Sequence, residues 1–191
     1  VWIGVASTLL QLLSSAMAAY AFDRLTFPGR NALFLVYLAT LMVPMQVLLV
    51  PLFIEMKMLN LVDTYAALLL PTIASAFGVF LLRQAVGAVP RELDEAAFID
   101  GAGHIRVFFL VVLPLIRPAL ATFAVFAFMA SWNSFLWPLV VIRSPELMTL
   151  PLGLANLHGR FTTQWDVVMA GSVVSVVPIA LLYLVAGVRP E

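Results

Sequence analysis

Five stretches of this chain contain no Asp, Glu, Lys or Arg: residues 1–22, 31–54, 64–82, 118–142 and 167–188, which are 22, 24, 19, 25 and 22 residues long. That distribution constrains the fold more than any other feature. A helix of about 20 apolar residues crosses a hydrocarbon core about 30 Å thick, and helices buried in soluble domains are seldom this long or this uniformly apolar. Charged residues make up 10% of the chain and hydrophobic residues 63%, with a mean hydropathy of +1.08. A soluble domain carries about 25% charge to keep its surface wet. Lipid must therefore solvate most of this chain. The sequence predicts an all-α, polytopic membrane helix bundle with five transmembrane helices, forming one domain over residues 1–191, since no internal repeat or low-complexity linker divides it.

Pro44, Pro51, Pro71, Pro138 and Pro178 fall inside the uncharged stretches. Neighbouring helices, Ser and Thr hydroxyls or waters can satisfy the carbonyls they free. The net charge is zero, which gives no basic field for nucleic acid, and the absence of cysteine excludes disulfides and thiolate metal sites. His104 and His158 are too far apart in sequence to suggest a metal cluster and read as polar loop residues. No cofactor is called for. The chain begins at Val1 with no positive n-region, and Arg24 follows the first apolar run. The first stretch is thus a span already under way rather than a signal peptide, and the chain is expected to be a fragment of a longer one.

Consecutive spans alternate direction, so the charged segments fall into two sets. Segments 23–30 and 83–117 and the C-terminal tail hold seven basic residues: Arg24, Arg30, Arg83, Arg91, Arg106, Arg117 and Arg189. Segments 55–63 and 143–166 hold three: Lys57, Arg143 and Arg160. The excess of positive charge places the first set in the cytoplasm.

Within segment 83–117 the run Pro-Arg-Glu-Leu-Asp-Glu-Ala-Ala-Phe-Ile-Asp-Gly, residues 90–101, predicts a short capped helix. Pro90 suits the first turn, where its missing N–H costs nothing. Glu92, Asp94 and Glu95 complement the positive end of the helix dipole. Gly101 supplies the left-handed residue that commonly stops a helix. Leu93, Ala96, Ala97 and Asp100 share one face by their spacing. A further apolar stretch, 107–113, runs to Pro114 and enters the membrane at about Pro118.

Glu95-Ala96-Ala97, three residues, Gly101, nine residues, then Val111-x-Leu113-Pro114 resembles the EAA loop of bacterial ABC importer permeases, whose pattern is E-A-A-x3-G-x9-I-x-L-P. Val111 is the one departure. The flanks are similar to the carbohydrate branch, the maltose-type second permease and its relatives. They are Ala18-Ala19-Tyr20-Ala21-Phe22, Phe27-Pro28-Gly29-Arg30, Ile99-Asp100-Gly101-Ala102, the run from Trp132 to Leu139, and Thr149-Leu150-Pro151-Leu152-Gly153-Leu154. Relatives usually carry six transmembrane helices and a Gly-rich tail, so the resemblance also implies truncation at both ends.

The resemblance implies a sugar-import permease of the bacterial inner membrane. Its partners would be two ATP-binding cassette subunits, a second permease subunit and an extracytoplasmic solute-binding protein. Segment 89–114 would then be the cytoplasmic loop, with its helix as the coupling helix. Leu93, Ala96, Ala97 and Phe98 would offer an apolar docking face, ringed by Arg91, Glu92, Glu95 and Asp100, with Gly101 permitting the exit towards the membrane. The chain itself has no P-loop, because its one lysine, Lys57, follows Met56 rather than glycine. The subunit is not expected to be an enzyme.

The substrate path is less legible. Asn133, Gln46 and Trp132 are candidates, because polar groups within spans often face a pathway and indoles stack on sugars. Asn133 lies roughly 22 Å along its helix from Pro118, at about 1.5 Å per residue. Interhelical hydrogen bonding competes as an explanation for Gln11 and the hydroxyls, and an interfacial belt for Trp132 and Trp137. An ion-coupled secondary transporter is the alternative function. None of the five stretches holds the acidic or basic residue that proton coupling usually requires. Paired carboxylates, His-x3-His and Gly-x-Ser-x-Gly, which would mark an intramembrane enzyme, are also missing.

Overall fold

The computed structural model describes residues 1–157 and 165–187. Arg160, Arg189 and His158, which entered the charge and histidine arguments, lie outside the described residues. Every regular element among the described residues is helical.

The bundle is organised around α1 (Trp2–Arg24), an unbroken helix of 23 residues. At about 1.5 Å per residue it is long enough to cross a bilayer. Its buried positions are small (Gly4, Ser7, Thr8, Ser15, Ala16 and Ala19), with Tyr20 the exception. Small side chains let helix backbones approach closely where lipid gives no hydrophobic push. α1 accordingly packs against both α5 (Ala76–Gly87) and α9 (Arg117–Trp132). α5 and α9 also approach closely at Gly78. A Cβ on Gly78 would lie 2.1 Å from Phe123 Cζ.

The all-α bundle is as expected, but the five uncharged stretches are not five straight helices. Stretch 31–54 is folded back on itself, its two halves, Arg30–Met42 and Met45–Met58, meeting at 103°. The first half is α2 (Arg30–Ala39) with a tight last turn, and the second is α3 (Met45–Met58). Pro44 causes the break, since the residue before a proline is pushed out of helical conformation, and Val43 is extended (φ −87°, ψ 114°). Stretch 64–82 bends by 45° between Tyr65–Thr72, which begins with α4 (Tyr65–Leu69), and α5. Here Pro71 and the extended cap Ser75 end one helix and begin the next.

α6 (Arg91–Ile99) follows α5, and Pro90 sits one position before the helix as its cap rather than within the first turn. The chain then returns through α7 (His104–Val107), a π-helical turn (Phe108–Val112) and α8 (Leu113–Leu115). Pro114 cannot donate to the carbonyl four residues back, and the wider turn before it accommodates that loss. An 81° bend leads into α9, which begins at Arg117. Stretch 118–142 is interrupted after Trp132 and resumes as α10 (Leu136–Val141). α11 (Leu150–Asn156) and α12 (Trp165–Gly187) complete the described elements.

Two buried clusters mark the two ends of α1. One gathers Ala16, Ala19 and Tyr20 with Leu82, Val86, Val107, Phe108 and Ile116, beside the arginine-rich end. The other joins Met56, Ala67, Leu68, Trp137, Val141 and Leu152, with Ile3 of α1 against it. Large apolar side chains elsewhere face outward, among them Val36 and Val50, as suits a surface solvated by lipid.

Candidate functional site

At the arginine-rich end, α6 has the form its sequence predicts. Gly101 is left-handed at φ +83°. Its amide donates to Phe98 O (3.0 Å), and that of Ala102 donates to Ala97 O (2.9 Å), the paired bonds of a Schellman cap. Glu92 and Asp94 lie in the first turn. Arg91, Glu92, Leu93, Glu95, Ala96, Phe98, Ile99 and Asp100 are exposed. Ala97 is turned the other way and packs on the inner cluster. The apolar face therefore differs from the expected one: Ala97 leaves it, and Ile99, 87% exposed, joins it.

The side of α6 turned towards the bundle carries a charge that the sequence analysis used only for the helix dipole. Asp94 is buried, and its Oδ2 lies 2.6 Å from Nε of Arg24, the last residue of α1. Arg24 also donates to Asp23 Oδ2 (2.9 Å) and to the carbonyl of Val89 (2.7 Å). Arg91 donates to the Asp23 carbonyl at 3.2 Å. The return segment is held to the same place. His104 Nδ1 lies 3.2 Å from the Tyr20 hydroxyl, and its ring meets Phe98 edge-on. His104 thus opens α7 and bonds across the bundle, where a loop residue was expected. The signal for Asp94 was available, since it lies three residues before Ala97 and so shares its face.

A cavity of about 370 Å³ opens beside the middle and far half of α1. Its polar lining comes from Gln11, Thr40, Thr72, Ser75, Ser131, Ser134 and Thr149, and Phe77 and Trp137 contribute aromatic surface. No charged side chain lines it among the described residues. The break between α4 and α5 forms one wall. Broken backbone at membrane depth needs partners, and α1 supplies them: Ser14 donates to the Ile73 carbonyl, and Ser7 Oγ lies 2.9 Å from Thr72 Oγ1. Gln11 donates to Ser7 at 3.0 Å, so it serves both the helix contact and the cavity wall.

Asn133, Gln46 and Trp132 do not line this cavity. Asn133 is exposed and donates to its own helix at Met129 O (3.0 Å). Trp132 is buried, stacked on Phe128 and bonded through Nε1 to Ser175 O of α12 (2.9 Å). Gln46 is exposed on α3. The neighbours Ser131, in the last turn of α9, and Ser134, in the break before α10, line the cavity instead. Trp137 is no interfacial residue either: it is buried and donates to Ala67 O at 2.8 Å.

At the end opposite α6, Asp63 clasps the segment after α10. Its Oδ1 accepts from the amides of Arg143 (2.8 Å) and Ser144 (2.9 Å), and its Oδ2 accepts from the Ser144 hydroxyl. Its own amide donates to Val141 O at 2.9 Å. These bonds, the Ser144 hydroxyl first, hold the Asp63 carboxyl below its ordinary value.

The chain is 45% identical over 184 residues to the arabinooligosaccharides transport system permease protein AraQ of Halalkalibacterium halodurans, covering 96% of this chain and 66% of that protein. It is 38% identical over 181 residues to the lactose transport system permease protein LacG of Rhizobium radiobacter, with 95% and 66% covered. It thus spans slightly under two thirds of the length of these relatives. Its fold matches a chain of a bacterial ABC transporter involved in the import of the acidic polysaccharide alginate, with a TM-score of 0.79 at 24% identity, covering 97% of this chain and 74% of that one. Residues 11–188 match the model of the binding-protein-dependent transport system inner membrane component, and the chain belongs to that family of multi-pass inner-membrane proteins.

Proposed function

We propose that this chain is the transmembrane permease subunit of an ATP-driven importer for a sugar or a related small, uncharged polar solute. The observation that carries the reading is α6: a capped helix at the arginine-rich end, exposed on the side away from the bundle and anchored by Asp94 on the other. That arrangement suits docking in a groove of a partner. The arginine-rich end lies in the cytoplasm, by the excess of positive charge. Residues 1–191 act as one permease unit, with 89–114 as its cytoplasmic loop. ATP is hydrolysed on two partner subunits, whose closure moves α6 and opens the pathway outward. A second permease subunit completes the pathway, and a solute-binding protein delivers the cargo. Family membership favours this reading over an ion-coupled carrier.

The cavity supports the substrate class. Hydroxyls and an amide can bond a polyol, Phe77 and Trp137 offer ring surface, and among the described residues no charged group repays an anion for its lost hydration. The test is reconstitution of the full-length subunit with its ATPase, partner permease and binding protein. Uptake that requires ATP and every subunit is the expected result. Flux driven by an ion gradient with no ATPase present contradicts the reading.

A further inference from the structure

We propose that Arg24 is a positioning residue for coupling: through Asp94 it fastens α1 to α6, so that movement of α6 passes directly to the helix that lines the cavity. The inference rests on the permease reading. It starts from an energetic oddity. Both side chains are almost wholly out of solvent, at 5% and 6% exposure. Withdrawing two charges from water carries a desolvation penalty that their attraction at best repays, so two apolar side chains of the same volume would hold the helices as firmly. What the ion pair adds is register. The guanidinium is a planar fork: it donates to Asp23 on its own helix and to the Val89 carbonyl just before α6, and its Nε edge lies in ion-pair contact with Asp94 within α6.

The topology gives that register a use. α6 is joined by the chain to α5 on one side and, through α7 and α8, to α9 on the other. The α5 route reaches the cavity without a break, at Ala76 and Phe77, whereas the α9 route is bent by 81° before Arg117 and reaches it at Ala130 and Ser131. α1 is not a chain neighbour of α6, yet it is unbroken from Trp2 to Arg24 and carries Gln11 into the cavity wall. Arg24 makes this rod a second unbroken linkage between the docking helix and the cavity, beside α5.

Two measurements on the complete importer in proteoliposomes test the proposal. The first compares solute taken up per ATP hydrolysed for wild type and for the apolar pair Arg24→Met with Asp94→Leu, which removes both charges of the pair and leaves Asp23 with Arg91, 3.8 Å away, as its partner. Assembly and hydrolysis should persist while uptake per ATP falls about tenfold, within the range common for coupling between sites. A wild-type ratio in the double variant overturns the proposal, because the pair then serves packing alone. The second needs no change at the pair. Spin labels at Glu92 and Met17, both exposed, should keep their separation when ATP closes the complex. A change of several ångströms means that α1 and α6 move independently and overturns the linkage. Uptake by the wild-type complex separately tests the permease reading on which both rest.

Discussion

The amide of Ala102 donates to the carbonyl of Ala97 at 2.9 Å, reaching back across Gly101, whose backbone is left-handed at φ +83°. That pairing ends α6 and turns the chain back towards the membrane. A Cβ at position 101 would meet no atom within 4 Å, so the demand for glycine is purely conformational.

Gly101→Val should therefore cost on the order of 1–2 kcal/mol, the penalty of a side chain in the left-handed region. That is small beside the burial that holds the bundle in lipid. Membrane amounts should stay near normal while uptake by the assembled importer falls strongly, and Gly101→Asn should come closer to wild type, because Asn tolerates that conformation. Immunoblots with uptake at matched expression decide it.

Gly78 makes the opposite demand, for space. Its missing Cβ would sit 2.1 Å from Phe123 Cζ, and Phe123 is 1% exposed, with little room to retreat. Gly78→Ala should destabilise the bundle by about 1–3 kcal/mol, as overpacking does. Adding Phe123→Leu should recover part of the loss. Thermal unfolding in detergent measures both.

The sequence foretold α6 well because its signals are local: Pro90 before it, Glu92 and Asp94 in its first turn, Gly101 after it. The partner of Asp94 was not legible, since nothing near either residue in the chain says that Arg24 and Asp94 meet. The breaks at Pro44 and Pro71 were marked by their prolines, yet the angles of 103° and 45° come from packing. The cavity was missed by a rotation. Asn133 and Trp132 were the residues singled out near the end of α9, whereas Ser131 and Ser134 line the cavity, and which side chain turns inward depends on where α9 stops. Asn60 and Asp63 are left-handed, at φ 54° and 62°; their residue types tolerate that conformation, but no glycine marks either turn.

The Asp63 clasp should depend on pH in a definite direction. A carboxyl held below its unfolded value, about 3.9 for aspartate, stabilises the clasp fully above that value and loses its effect as pH falls through the lowered one. The amides of Arg143 and Ser144 should thus be protected from hydrogen exchange at neutral pH and stay so down to the ordinary aspartate range. Asp63→Ala should remove their protection at every pH. Exchange followed by mass spectrometry reports it.

The cavity assignment separates neighbours. Ser131→Phe and Ser134→Phe place bulk among the lining residues, whereas Asn133→Phe places it on an exposed side. Uptake should fall at least about tenfold for the serines and stay within about twofold for Asn133, with the spread reflecting how completely the pathway is filled.

The central claim is that α6 is the surface on which the ATPase pulls. Photo-crosslinking groups introduced in place of Ala96 or Ile99, both exposed on α6, and of Asn60 near the opposite end measure it directly in intact cells. A covalent adduct with the ATPase subunit is expected from positions 96 and 99 and none from position 60. An ATPase adduct from position 60, or none from α6 in a complex that still takes up solute, would contradict it.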